Sequence, residues 1–195
     1  MLTILFVGSF IELSANANQK LTVEQEYPNL ETSCKSGDAK SCGILAQQAY
    51  VETNKHYLDY KKSRKYAIKA CEGKDAVGCY YLGLLYLDTD KVSATKYFQK
   101  SCDIKAGPGG CFALASAYQN GDGVKKDISK AVKYYDKSIK SGNKAAYLGG
   151  NLNMGLIYYF GDEGIAQNKS KGIQYLKSSC DGGLQQGCRA YNDLK

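Results

Sequence analysis

Large apolar residues recur along this chain at helical spacing, each beside a small residue. Leu82-Gly83 is followed four positions after the leucine by Tyr86, Leu114-Ala115 by Tyr118, and Met154-Gly155 by Tyr158. Leu45-Ala46 has Ala49 at the corresponding place, with Tyr50 next to it. Spacing of i, i+4 stacks large side chains on one face of a helix, and the small neighbour lets a second helix approach closely. A second register follows the first. Tyr66, Tyr97, Tyr134 and Tyr175 each stand five residues before Cys71, Cys102, Ile139 and Cys180, in steps of 31, 37 and 41 residues. Unequal steps around a fixed pattern mean that the loops vary while the helices do not. The pattern predicts an all-α solenoid of four helical hairpins, in which neighbours complete one another's core.

The hairpins are expected at about 38–73, 75–104, 107–141 and 148–182, with a terminal cap at 184–195, all in one domain from residue 18 to 195. Gly121 and Gly123 after Tyr118 can end a helix with positive φ, and Asp127 can cap the next. The loop from Tyr158 to Ile165 is a longer version, and Leu87 to Lys91 a shorter one. Pro28 sits badly inside a helix, so the segment before Cys34 reads as an irregular or short helical cap.

The eight cysteines fall on the junctions between hairpins. Cys34 and Cys42, Cys71 and Cys79, and Cys180 and Cys188 are eight apart, and Cys102 and Cys111 nine. Structural zinc sites place ligands two to four residues apart, which seven intervening residues fit poorly. The single histidine, His56, lies far from every pair and reads as a surface residue. Four disulfides, each tying the end of one helix to the start of the next, are therefore expected, with no metal and no cofactor. The fourth junction breaks the rule: Ile139 and Asn151 stand where a pair belongs, twelve apart, with a longer loop at Asn143 to Gly150. An apolar Ile139 can fill the space of a sulfur there.

Composition then adds a compartment. Leu2 to Ile11 is an apolar run too short to span a bilayer, and Ala15-Asn16-Ala17 is a small-x-small cleavage site. No Lys or Arg precedes the run. Residues 1–17 are expected to be a signal peptide, leaving a periplasmic or secreted, monomeric protein with no membrane span. Formal net charge is +7. It is uneven: ten basic and ten acidic residues cancel between Asn18 and Asp90, while sixteen basic face eight acidic from Lys91 to Lys195. A basic half suits acidic partners, and export makes nucleic acid a poor candidate among them. Lys126, Lys130, Lys133, Lys137 and Lys140 follow steps of four and three and form a stripe, read as the solvated side of an amphipathic helix.

The pattern Tyr-x-x-Gly-x-Gly-Val-x-x-Asp-x-x-x-Ala from Tyr118 to Ala131 resembles the Sel-1-like repeat family, relatives of the tetratricopeptide repeat proteins. With four cysteine pairs added, nearly all of the chain after residue 17 is similar to the cysteine-rich secreted branch known from Helicobacter and related bacteria. The resemblance implies an α/α superhelix whose first helices line a concave face, and a scaffold for peptides or partner proteins. It also implies possible binding of penicillins and slow β-lactamase activity.

On the concave face the expected ligand contacts are Gln47 and Gln48, Tyr80 and Tyr81, Phe112 and Ser116, and Asn153. Amides and aromatics together suit a peptide, a protein segment or a cell-wall fragment. For hydrolysis of a β-lactam ring the sequence offers only fragments of the serine β-lactamase motifs. Ser93 with Lys96 and Ser141 with Lys144 fit Ser-x-x-Lys, Tyr118-Gln119-Asn120 a second element and Lys140-Ser141-Gly142 a third. Two Ser-x-x-Lys matches are about what chance gives in so lysine-rich a chain, no strand presents the third motif, and Ser93 reads more simply as a helix cap.

Overall fold

A computed structural model describes residues 29–53, 60–104 and 107–195. The leader, Pro28 and His56 lie outside the described residues. Residues 29–35 are helical (α1), and nine further helices follow: α2 (Ala39–Thr53), α3 (Tyr60–Glu72), α4 (Ala76–Tyr86), α5 (Lys91–Asp103), α6 (Pro108–Asn120), α7 (Ile128–Ile139), α8 (Lys144–Phe160), α9 (Lys169–Asp181) and α10 (Gln185–Leu194). Successive pairs α2–α3, α4–α5, α6–α7 and α8–α9 form the four hairpins, and α10 closes the array. None of the described helices is long and apolar enough to cross a membrane.

The curvature follows from which helices touch. Each even-numbered helix packs on the next even-numbered one, while the odd-numbered helices splay apart. The even-numbered helices are therefore the inner, concave side and the odd-numbered ones the outer side. The core between the two layers is the apolar register read from the sequence: Leu45, Leu82, Leu114 and Met154 are at most 2% exposed. Their small neighbours are equally buried, and a Cβ on Gly83 would lie 2.5 Å from the Phe98 ring. The two tyrosine registers meet inside the last three hairpins. Tyr86 stacks on Tyr97, Tyr118 on Tyr134 and Tyr158 on Tyr175, with ring centroids 5.5–5.8 Å apart. A cation covers each stack, from Arg64, Lys130 and Lys171 in turn.

Disulfides close Cys34–Cys42, Cys71–Cys79, Cys102–Cys111 and Cys180–Cys188, with Cα atoms 4.2–4.8 Å apart. Such close approach needs a small residue before each second cysteine. A Cβ on Gly78 would lie 2.2 Å from Ala70 Cβ, and one on Gly110 or Gly187 2.3 Å from the hydroxyl of Ser101 or Ser179. The two serines are fully buried and donate to main-chain carbonyls of their own hairpins, Ser101 to Ala76 (2.7 Å) and Ser179 to Leu148 (2.9 Å). A buried hydroxyl must find such a partner.

The fourth junction keeps the geometry without the sulfur. Gly150 packs against Ser138 and Ile139, as Gly110 packs against Ser101 and Cys102. Asn151, only 3% exposed, satisfies its amide on the carbonyl of Tyr147 (2.7 Å). This hairpin begins at Lys144 rather than near 148, because Asn143 caps α8 and accepts from the Ala146 amide (3.0 Å). From α2 onward, the α7–α8 interface is the thinnest between successive helices.

Loops lock the third and fourth hairpins each to the one before it. Gly123, at φ 69°, presses its backbone onto Lys91 at the start of α5. Thr95 donates to the Asp122 carbonyl (2.8 Å), and Lys91 pairs with the Asp122 carboxylate (2.6 Å). Lys126 and Asp162 (3.2 Å) repeat that ion pair one hairpin further on.

Candidate functional site

The inner face is nearly uncharged. Helices α4 and α6 hold no charged residue, α2 and α10 one of each sign, and α8 only Lys144 at its start. Of the expected contacts, Gln47 is exposed, and Tyr80, Phe112, Ser116 and Asn153 are half-buried. Tyr81 is a correction: at 6% exposure it belongs to the core. Its position faces the preceding inner helix, where its ring sits 5.2 Å from that of Tyr50, and α2 and α4 pack tightly there. Burial pushes the phenols of both Tyr50 and Tyr81 up.

Tyr80 and Phe112 occupy the same register position and do similar things. Tyr80 lies against Gly109 of α6, where a Cβ would sit 3.4 Å from its ring, and approaches Phe98 with ring centroids 6.0 Å apart. Burial raises its phenol to about 12. Phe112 packs on Tyr135 at 5.5 Å, and Tyr135 donates to Gln119 (2.7 Å). Tyr80 thus reaches the next hairpin while Phe112 packs within its own, and both rings stay half-buried on inner helices. Ser116 accepts from Asn120 (3.4 Å) one turn later. Gln48 carries the one buried side-chain polar atom without a hydrogen-bond partner among the described residues, its amide oxygen.

The serines are engaged locally. Ser93 is not the cap of α5; Asp90 is, accepting from the amides of Val92 and Ser93, and the Ser93 hydroxyl donates to the same carboxylate (2.5 Å). Those hydrogen bonds hold the Asp90 carboxyl below its usual range, making it a poor proton acceptor. Lys96 is exposed one turn along. Ser141 closes the end of α7 by donating to the Ser138 carbonyl (2.6 Å) and accepting from the Asn143 amide (3.3 Å). Lys144 is exposed at the start of α8. Neither serine contacts its lysine in a hydrogen bond, and neither is paired with a base of raised proton affinity, as an activated nucleophile requires.

Ser141 does border a groove of about 690 Å³ between α5 and α7. The Cys102–Cys111 disulfide and Ile104 line one wall, and Lys133, Tyr134, Lys137 and Lys140 the other. Two of the lysines are already engaged, Lys137 with the Cys102 carbonyl (2.6 Å) and Lys140 with Asp136 (2.7 Å). No group of His, Cys, Asp and Glu able to hold a metal ion exists among the described residues. The sequence reading missed this groove and the buried serines. The lysine stripe pointed to the first, and the Ser-Cys and Gly-Cys dipeptides at the junctions to the second.

The geometry agrees with comparisons to known proteins. The Sel1 repeat model matches residues 55–75, 76–104, 108–143 and 144–184; the last three are the hairpins α4–α5, α6–α7 and α8–α9, and the first covers α3. The Sel1-repeat-containing protein YjcO of Escherichia coli K12 is 27% identical over 173 residues, covering 84% of this chain and 73% of its own. Among solved structures, a protective antigen of uropathogenic Escherichia coli with this repeat fold superposes with a TM-score of 0.69 at 24% identity, over 83% of this chain and 34% of that one. Cysteine rich protein B of Helicobacter pylori superposes with a TM-score of 0.52 at 29% identity, over 68% of this chain and 97% of that one. Four matched repeats and the stapled junctions make this chain a member of the Sel1 repeat family, of its cysteine-rich type.

Proposed function

We propose that this chain is an exported scaffold whose inner face binds an extended, largely uncharged peptide segment of a partner protein. The observation that carries this reading is the contrast between faces. The inner helices are almost free of charge and carry amides, a hydroxyl and half-buried rings, at Gln47, Ser116, Asn153, Tyr80 and Phe112. Amides and hydroxyls can meet the donors and acceptors of a peptide backbone, and fixed rings supply apolar contact at little entropic cost. The repeat family supports a protein-interaction role. Four disulfides suit an oxidising, extracytoplasmic compartment.

Peptides selected from a random display library on the oxidised protein test the reading. Selected binders should compete with one another and weaken at least tenfold when Ser116→Tyr or Asn153→Ala is introduced. Both positions are half-buried on the inner face, so a melt should show the variants folded. Binding unchanged in both variants would place the peptide elsewhere.

A second reading, slow hydrolysis of a β-lactam ring, draws on Ser141 at the rim of the α5–α7 groove beside Lys140. Turnover of a chromogenic cephalosporin by the oxidised protein, lost in Ser141→Ala, would favour it. Turnover that survives in both Ser141→Ala and Ser93→Ala would remove the two serines as nucleophiles.

A further inference from the structure

Nearly all the charge of the hairpins is on the outer helices, and it is arranged in rows. α3 carries five basic residues against Glu72 alone. α5, α7 and α9 each carry three against a single aspartate. Registered on the outer-helix tyrosines, the lysines coincide from one hairpin to the next. Lys65, Lys96 and Lys133 each stand one residue before Tyr66, Tyr97 and Tyr134. Lys69, Lys100 and Lys137 each stand three residues after. Positions four residues apart lie about 40° from each other around a helix, so the two rows run side by side across three hairpins. All six lysines are exposed, and none is in an ion pair among the described residues. The stripe on α7, which by itself reads as a solvated helix side, is thus one section of a surface that repeats.

Two further observations separate this surface from ordinary solvation. Ile68, 38% exposed, lies three residues after Lys65, and Val92, 52% exposed, four residues before Lys96. At those spacings each apolar side chain is a surface neighbour of a row lysine. Aliphatic side chains among lysines suit the boundary between phosphate headgroups and acyl chains. A nucleic-acid strand would ask instead for exposed rings between the row lysines. Tyr97 and Tyr134, which adjoin them, are stacked within their hairpins, and the exposed ring of Tyr60 stands at the start of α3, more than a turn before both rows. The rows also lie on the splayed, outward side, which presents itself to a surface rather than enclosing a strand.

We propose that the outer face of α3, α5 and α7 docks on an anionic lipid surface, leaving the inner face turned away and open. The test is co-sedimentation of the oxidised protein with vesicles of phosphatidylcholine alone or with about one third phosphatidylglycerol. Binding is expected only to the anionic vesicles, and it should fall steeply between low and moderate salt. The variant Lys65→Gln, Lys96→Gln, Lys133→Gln should lower partitioning by roughly a hundredfold. Removing the same charge elsewhere, in Lys40→Gln, Lys74→Gln, Lys144→Gln, should leave most of the binding. Ile68→Ser should weaken vesicle binding and leave binding to heparin, a soluble polyanion, unchanged. Absence of binding to anionic vesicles at low salt overturns the proposal. So does an equal loss in both triple variants, which would reduce the effect to net charge. Binding to heparin or duplex DNA without binding to vesicles overturns it in favour of a soluble polyanion. Thermal melts of each variant show whether the fold is kept; exposed lysines outside ion pairs should leave it unaltered.

Discussion

At the last three junctions single residues work as matched pairs, a buried hydroxyl facing a glycine. Ser179 sits against Gly187 and donates to the Leu148 carbonyl (2.9 Å), so the hydroxyl both fits and is satisfied. Ser179→Ala should cost about 1 kcal/mol, the worth of one such bond, read from a denaturant melt. Gly187→Leu should cost more, because its side chain would enter the space of Ser179. An equal cost for the two would mean that the close approach matters less than the bond. Tyr80 makes a prediction in pH. Its phenol titrates at about 12 in the folded chain, against 10.0 unperturbed, because burial disfavours the anion. The folded state holds its proton more tightly, so this residue's contribution is complete below pH 10 and shrinks as pH rises towards 12. Tyr80→Phe should flatten the alkaline part of the stability curve; an unchanged alkaline loss would assign it to the other buried tyrosines, Tyr81 and Tyr135.

At the scale of the helices, the unstapled junction is the informative one. The backbone at Ile139 and Gly150 repeats the contact that Cys102 and Gly110 make, so the site should accept a bridge. Ile139→Cys with Asn151→Cys should form a fifth disulfide, seen as loss of two thiols by mass, and stabilise by about 2–3 kcal/mol in the loop-entropy model. Free thiols persisting in the oxidised double variant would show that the extra turn of α8 has moved the register. That turn also marks where the sequence stops being readable. Leucine, glycine and tyrosine spacings carry the hairpins because burial acts on every repeat alike. The start of α8 depends on a local choice, Asn143 capping the helix, and a cap outweighs a repeat length only in its own turn. The inner-face contacts were legible as positions and less so as exposures. Tyr81 looks like Tyr80 in sequence, and only the tight α2–α4 packing buries it.

For the whole molecule, stability and shape come from the same junctions. Each bridge closes a loop of eight or nine residues and contributes about 2.5 kcal/mol, so four together match the net stability of an ordinary domain. Reduction at neutral pH should lower the melting temperature by well over ten degrees or unfold the chain, as circular dichroism would record. A reduced protein melting within a few degrees of the oxidised one would mean that the tyrosine and leucine registers hold the solenoid unaided. The separation of a neutral inner face from a basic outer one is a whole-molecule property as well. It is invisible in the composition, which gives only +7, and emerges when lysines are counted by helix.

The order in which the cysteines pair has a consequence for biogenesis. Eight cysteines allow 105 connectivities, and the one found joins each cysteine to the next along the chain, with no bridge nested in or crossing another. A chain threaded N-terminus first into an oxidant would make these same four bonds in turn, each as soon as its second thiol emerges. Such a protein needs a donor of disulfides but no isomerase to correct them, and each bridge can close before the next pair of cysteines has been delivered.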